Sequence, residues 1–418
     1  MNHCWSRWSR WILPICLVFG MLGQAPVHAA PAAPSAVAEE EFTVTLGEGW
    51  VSRAKLTYPA GQDGPFPTVL LIANPDVTMD FLVPPIINDP IYKDLAEYLS
   101  ARGIAVVRYN PRYVNGPGEY ADQEQVFAQT PPDMLADAKL VLSAIQANPR
   151  VDGRRVFVFG WSFSSLAATA LAVQVPELAG LILAGPISTT DRQIYIEDYT
   201  EVVLPYLLTF APDGRIAPEV IKRAQAGDGG LLAIGLTGSF TDPNVTDRVA
   251  VNPFFDKNGD GVLDLNAEIL PNLGAWVDTD PFVAITRMLP NVYDQAASLR
   301  QPVLVLQGEN DGSTRVRNTR GLNNAFAGHP DYTLRVYAGL GHSLAPVRGV
   351  SYDKFTFYSE QPKADFAAWV LARGVATAAQ PVALPSTGAP DRSVGWLIGT
   401  ALLLLLCGAV ARRRLAGR

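Results

Sequence analysis

The chain has 418 residues, 48% apolar and 17% charged, which is enough for a packed core and rules out a disulfide-stapled peptide or a disordered segment. Its 33 basic residues against 40 acidic ones give a net charge of −7, so nothing electrostatic argues for nucleic-acid binding.

In chain order, residues 1–29 read as a secretory signal: Arg7 and Arg10, an apolar run, then Val27-His28-Ala29 as a small-x-small cleavage site. A lipoprotein reading through Cys16 fits less well, because Leu13-Pro14-Ile15 lacks the small residue expected before the cysteine. Residues 30–41 are Ala/Pro-rich and then acidic, the composition of a linker. Residues 42–57 read as a hairpin turning at Gly47-Glu48-Gly49. Short apolar runs at 68–73, 104–109, 155–159, 178–184, 302–307 and 332–338 have the length of buried strands. Helical spacing at 92–102, 134–147 and 363–372 separates them. Strands alternating with helices predict an α/β fold with a mostly parallel central sheet flanked by helices. Residues 189–297 break that rhythm with helix-like pieces and Gly/Asp/Pro turns, and read as a largely helical cap inserted between core parts 42–188 and 298–376.

Three positions carry the chemistry. The strand 155–159 runs into Gly160-Trp161-Ser162-Phe163-Ser164 and then a helical run, the setting that exposes a serine on a sharp turn. A serine at a helix start also serves as an N-cap, so its partners decide. The strand 302–307 ends in Gly308-Glu309-Asn310-Asp311-Gly312, and 332–338 leads into Gly339-Leu340-Gly341-His342. Ser162 is thus the candidate nucleophile, His342 its base and Asp311 the acid that orients the imidazole, with Glu309 the nearest substitute acid. His329, before Pro330, reads as a surface residue. Cys4, Cys16 and Cys407 all lie in the end segments, so the body has no thiol chemistry available.

Together with Thr68 to Tyr113 and Val303 to Asp311, these motifs resemble the α/β-hydrolases of the dienelactone-hydrolase and acyl-esterase group, over residues 42–376. The resemblance implies an α/β-hydrolase fold with a cap, a small-molecule ester or acyl substrate, an acyl-serine intermediate, and no required metal or organic cofactor. It also implies an oxyanion donor in the Phe163 N–H. The second donor is expected near the third strand, where relatives carry His-Gly and this chain has Ala73-Asn74-Pro75-Asp76. Proline has no N–H, so that donor falls to the backbone of Asn74 or Asp76, or to the Asn74 side-chain amide. Trp161 stands where many relatives have histidine, Tyr113 and Ser164 where they often have glycine.

Within the cap, Asp256-Lys257-Asn258-Gly259-Asp260-Gly261-Val262-Leu263-Asp264 matches the start of a calcium loop, but Ala267 stands at the twelfth position and Glu268 comes one residue late. It reads either as a structural calcium site through Asp256, Asn258, Asp260 and Asp264 or as an Asp/Gly-rich turn. Tyr199, Tyr206, Phe210, Phe240, Phe254, Phe255, Trp276 and Phe282 read as an acyl pocket or as the cap's own core.

After a second linker, 377–393, carrying Leu384-Pro385-Ser386-Thr387-Gly388, come an apolar stretch at 394–411 and a basic tail at 412–418. An apolar stretch of this length suffices for a transmembrane helix, with the arginines kept on the cytoplasmic side. The order resembles an LPxTG cell-wall sorting signal, which implies a sortase, the cell wall and the membrane as partners. Removing the 2 basic residues of the signal, and the 5 basic and 1 acidic residues after Thr387, leaves 26 basic against 39 acidic, a net of −13. The sequence therefore predicts an exported, surface-anchored serine hydrolase of carboxylic esters. A peptidase of the same fold and a non-catalytic surface binding module are the alternatives.

Overall fold

Two apolar sets interleave along each central strand, and that alternation places helices on both faces of the sheet. In β3 (Phe66–Ile72), Leu70 and Ile72 enter one core cluster while Val69 and Leu71 enter the other. The structure is a computed structural model describing residues 36–84 and 86–373. The signal segment, the sorting motif and the apolar run at 394–411 lie outside the described residues. Among the described residues no helix is long and apolar enough to cross a membrane.

The eight-stranded sheet comprises β1 (Val37–Thr45), β2 (Val51–Pro59), β3, β4 (Ala105–Tyr109), β5 (Val151–Trp161), β6 (Gly180–Ala184), β7 (Val303–Gly308) and β8 (Tyr332–Tyr337). Its order is β1-β2-β4-β3-β5-β6-β7-β8. Strand β2 runs against both neighbours and all other pairings are parallel. Helices α1 (Ile91–Ser100) and α6 (Glu360–Arg373) feed one core cluster. Helices α2 (Pro131–Gln146), α3 (Ser164–Gln174) and α5 (Val316–Ala325) feed the other. A capping box between Thr130 and Asp133, with proline in the first turn, starts α2. This is the α/β-hydrolase fold.

Strand β1 starts at Val37, inside the stretch read as linker. Its acidic residues are held by cations: Glu39 pairs with Lys55 at 2.6 Å and with the fully buried Arg108 at 2.6 Å. Asp80 takes the other arm of Arg108. Polar composition hid a strand whose side chains are satisfied by ion pairs rather than by burial.

The expected insertion is helical, beginning with α4 (Asp191–Asp198), which Thr190 caps and which continues through Tyr199–Val203 and Leu204–Leu208. Its only described strands are the two-residue pairs Arg215–Ile216 and Leu263–Asp264. The cap has its own core, containing Tyr199, Tyr206, Phe240 and Phe255, with Phe210, Phe254 and Trp276 packed against it. These aromatics are therefore cap interior.

Gly180, at the start of β6, leaves no room for a methyl group: a Cβ there would lie 2.7 Å from the Trp369 ring and 3.0 Å from Phe157. Gly180→Ala is expected to destabilise the fold by about 1–3 kcal/mol, read as a lower urea midpoint at unchanged slope.

Candidate active site

Parallel strands deliver their following loops to one end of the sheet, and β5, β7 and β8 each bring one candidate residue there. Ser162 follows β5 with φ +57°, a left-handed conformation that a non-glycine residue adopts only under constraint. Its N–H donates to the Ala184 carbonyl at 3.0 Å, fixing the turn to the end of β6. Gly160 makes the helix crossing feasible, since a Cβ there would fall 2.7 Å from Ala168 Cβ and 2.8 Å from the Ser164 carbonyl. Ser164 carries a different load from the glycine it replaces: its Oγ accepts the Trp161 N–H and donates to the Trp161 carbonyl, both at 2.9 Å. The turn is thus closed by a side chain as well as by the backbone.

Asp311 is fully buried and its carboxylate accepts five hydrogen bonds. Oδ1 takes the N–H groups of Ser313 (2.8 Å) and Thr314 (2.7 Å). Oδ2 takes Gln307 Nε2 (2.8 Å), Thr314 Oγ1 (3.0 Å) and His342 Nδ1 (2.9 Å). Burial opposes its charge, but the facing His342 and these donors outweigh it and hold the carboxyl below the ordinary carboxylate value. Burial likewise opposes the imidazolium, while the Asp311 charge and hydrogen bond outweigh it and raise His342 above 6.5. An ionised acid on Nδ1 leaves Nε2 as the atom that receives a proton.

The imidazole is also held by packing. Its ring forms a cluster with Trp161 and Phe355, whose centroids are 5.5 and 5.1 Å away, and the Trp161 Nε1–H donates to the His342 carbonyl at 3.0 Å. Trp161, the residue before Ser162, thereby grips the loop that carries His342. Ser162 and His342 share this end of the sheet without a hydrogen bond between Oγ and the imidazole, a contact that often forms only once substrate is bound.

The other candidate residues fall as follows. Glu309 is exposed and faces Arg320 at 3.8 Å, so the substitute acid is not part of the cluster. His329 is half-buried, accepts the Asp331 N–H at 3.2 Å and packs edge-on against Phe326, in a purely local role. Phe163 is buried at the N-cap position of α3. Asn74 Oδ1 accepts the Ser164 N–H at 3.0 Å, tying the loop after β3 to the elbow. Tyr113 has φ +65°, consistent with the glycine of relatives, and bonds Glu48 and packs on Trp50 at the hairpin.

The calcium-like loop closes on itself. Asp256 accepts the N–H groups of Gly259 and Gly261, Asn258 that of Asp260, Asp260 that of Val262, and Asp264 those of Asn266 and Ala267. The buried Glu268 is taken up by Lys257, Asn258 and Asp264 N–H groups. Among the described residues no group of three or more His, Cys, Asp or Glu is placed to hold a metal ion.

Two participants have no motif. Gly185, after β6 with φ +45°, packs its α-carbon against the pair: a Cβ would lie 2.8 Å from His342 Cε1 and Nδ1 and 3.0 Å from Asp311 Oδ2. Asp353 accepts the N–H groups of Gly312 (2.7 Å) and His342 (2.8 Å). A small residue directly after a buried strand is a signal for the first. Nothing local marks the second.

Sheet order, strained serine turn and acid–histidine pair together define an α/β-hydrolase-type site. Residues 90–259 match the family model described as "Serine aminopeptidase, S33". Esterase EstD of Thermotoga maritima is 28% identical over 159 residues, 37% of this chain and 33% of that protein. The chain thus spans about a third of the length of that curated relative. Among solved structures, a protein from Klebsiella pneumoniae assigned as a dienelactone hydrolase shares 15% identity, with TM-score 0.44, covering 81% of this chain and 98% of that one. A Pyrococcus furiosus esterase shares 14% identity, with TM-score 0.45, covering 81% and 92%.

Gly185→Ala is expected to displace the imidazole and lower kcat/KM by about a hundred-fold while far-UV circular dichroism is kept. Because His342 must be neutral to act as base and is raised above 6.5, activity should fall as pH drops through a midpoint above 6.5. An acid limb centred below 6.5 contradicts that electrostatic account.

Proposed function

We propose that the protein is a serine hydrolase that cleaves carboxylic esters through an acyl-serine at Ser162. The observation that carries this reading is the buried Asp311–His342 hydrogen bond at the same end of the sheet as a serine held at positive φ. In the first half-reaction Ser162 Oγ attacks the ester carbonyl, its proton passes to His342 Nε2, and the imidazolium then protonates the leaving alkoxide. In the second, His342 removes a proton from water as it attacks the acyl-enzyme, and returns that proton to Ser162 as the acid leaves. Asp311 remains ionised throughout.

The oxyanion is assigned to the Phe163 N–H and to the Asn74 side chain. With Asn74 Oδ1 occupied by the Ser164 N–H, its Nδ2 is the side-chain donor that remains, and this reading gives it the role that Pro75 lacks the N–H to fill. Export and surface anchoring belong to this reading on the strength of the terminal segments, with sortase and wall as partners for Thr387. A peptidase reading is favoured by the family model over residues 90–259. A scaffold kept only for binding has no physical need of an ionised acid behind a gripped imidazole.

The test is labelling of the purified protein by a fluorophosphonate probe, with turnover of a short-to-long acyl ester series and of aminoacyl amides. Ser162→Ala is expected to abolish both labelling and turnover. Amide turnover exceeding ester turnover establishes the peptidase, and a folded protein that neither labels nor turns over sinks the hydrolase reading. Asn74→Asp keeps the acceptor for Ser164 and removes the Nδ2 donor, so its kcat is expected to fall by about a hundred-fold. A wild-type kcat in that variant assigns the second donor to the backbone.

A further inference from the structure

Asp353 lies eleven residues beyond His342 in an irregular segment, and its carboxylate is buried against both loops of the acid–base pair. Oδ2 alone accepts both N–H groups, from Gly312 beside the acid and from His342 itself, at 2.7 and 2.8 Å. Oδ1 is buried with no partner. A buried carboxylate oxygen left unsatisfied costs free energy, and the cost is larger when the group carries charge. The cradle is nonetheless built for this residue. A Cβ on Gly341 would overlap the Asp353 carboxylate, one on Gly230 would overlap its backbone, and one on Gly312 would come within 3.0 Å of its Cβ.

The charged groups facing this carboxylate are Asp311, on the loop after β7, and His342, on the loop after β8. The cap meets the backbone of this segment through the Leu231 N–H to the Asp353 carbonyl and the Gly230 N–H to the Ser351 carbonyl, both at 2.8 Å. The charges acting on the His342 ring are those of Asp311 and Asp353, and the uncharged Trp161, Phe355 and Gly185 pack around it.

We infer that Asp353 is a second carboxylate of the active site, a positioning residue that clamps the loop of the base to the loop of the acid and adds its negative charge behind the imidazolium. The inference rests on the serine-hydrolase reading. Burial, and next the neighbouring Asp311 charge, push the Asp353 carboxyl up to about 6, so it is ionised at neutral pH at some cost to the fold. The sign follows: stability from the neutral form is complete below the ordinary value of 3.8 and is lost as pH rises through about 6. In return, the anion raises the basicity of His342.

The experiment compares full-length wild type, Asp353→Asn, Asp353→Ala and Ser162→Ala, reading fluorophosphonate labelling rate against pH together with Tm at pH 5 and pH 8. Asn keeps one accepting oxygen and removes the charge. Its labelling rate is expected to fall by about ten-fold at pH 8, with the acid limb moved to lower pH. Its Tm relative to wild type is expected to rise between pH 5 and pH 8. Asp353→Ala, which abandons both N–H groups, is expected to label about a hundred-fold more slowly. Asp353→Asn with a wild-type rate and acid limb overturns the inference, as does a loss of labelling matched by a lower Tm at both pH values, which marks a structural clamp. If wild type itself does not label at Ser162, the hydrolase reading has failed instead.

Discussion

The charge on Asp311 is the constraint around which the site is arranged. A carboxylate fully removed from water is costly unless every lone pair is met, and here two backbone N–H groups, an amide, a hydroxyl and an imidazole meet them. Those donors fix the loop after β7: Ser313 and Thr314 turn their N–H groups inward, and Gln307 reaches back from the last turn of the strand. Thr319 on α5 donates to Gln307 Oε1 at 2.7 Å, so the amide cannot flip without losing both bonds. The ionisation state of one side chain thus organises the end of β7 and the start of α5, and through His342 the end of β8.

The serine reaches the same place by a different physics. No ion pair holds Ser162; sterics do. A strand buried on both faces has to turn sharply into a helix packed on the same sheet, and the glycine at 160 lets α3 cross close enough to force the left-handed turn. Trp161 joins the two halves of the site, because its indole fills the core beside Phe81 and Tyr92 while its N–H holds the His342 carbonyl. A histidine in its place would surrender much of that aromatic contact, which accounts for an elbow residue chosen for volume.

How far this was legible in the sequence follows from the range of each interaction. A short continuous apolar run is a local signal, so β3 to β8 and the order serine, acid, histidine stand out without any structure. Strand β1 did not, since Glu39, Glu40 and Glu41 look like linker until Lys55, Arg53, Arg108 and Arg150 are brought to them. The cap aromatics read equally as pocket or core because composition does not say which way a ring faces. Asp353 was invisible for the same reason as β1: its meaning lies in two N–H groups on separate loops, and no spacing along the chain encodes that meeting.

The cap is fastened to these same loops rather than to the sheet's flank. Ser351 Oγ donates to the Val202 carbonyl of the cap at 2.8 Å, two residues before the carboxylate that holds His342. On the opposite loop, Arg315 donates to the Asp311 carbonyl and pairs with Glu201 of the cap at 3.4 Å, while Arg317 binds Glu201 and Glu197, and Asn318 binds Glu197 at 2.6 Å. A displacement of the cap therefore unpairs Arg315, which holds the Asp311 carbonyl, and Ser351, two residues before the carboxylate that holds the His342 N–H. The partly exposed Glu201–Arg317 pair contributes little energy by itself, whereas the buried ends of these connections are expensive to leave open. The cap in this fold is a structural partner of the loops that follow β7 and β8, joined to them through Ser351, Arg315, Arg317 and Asn318.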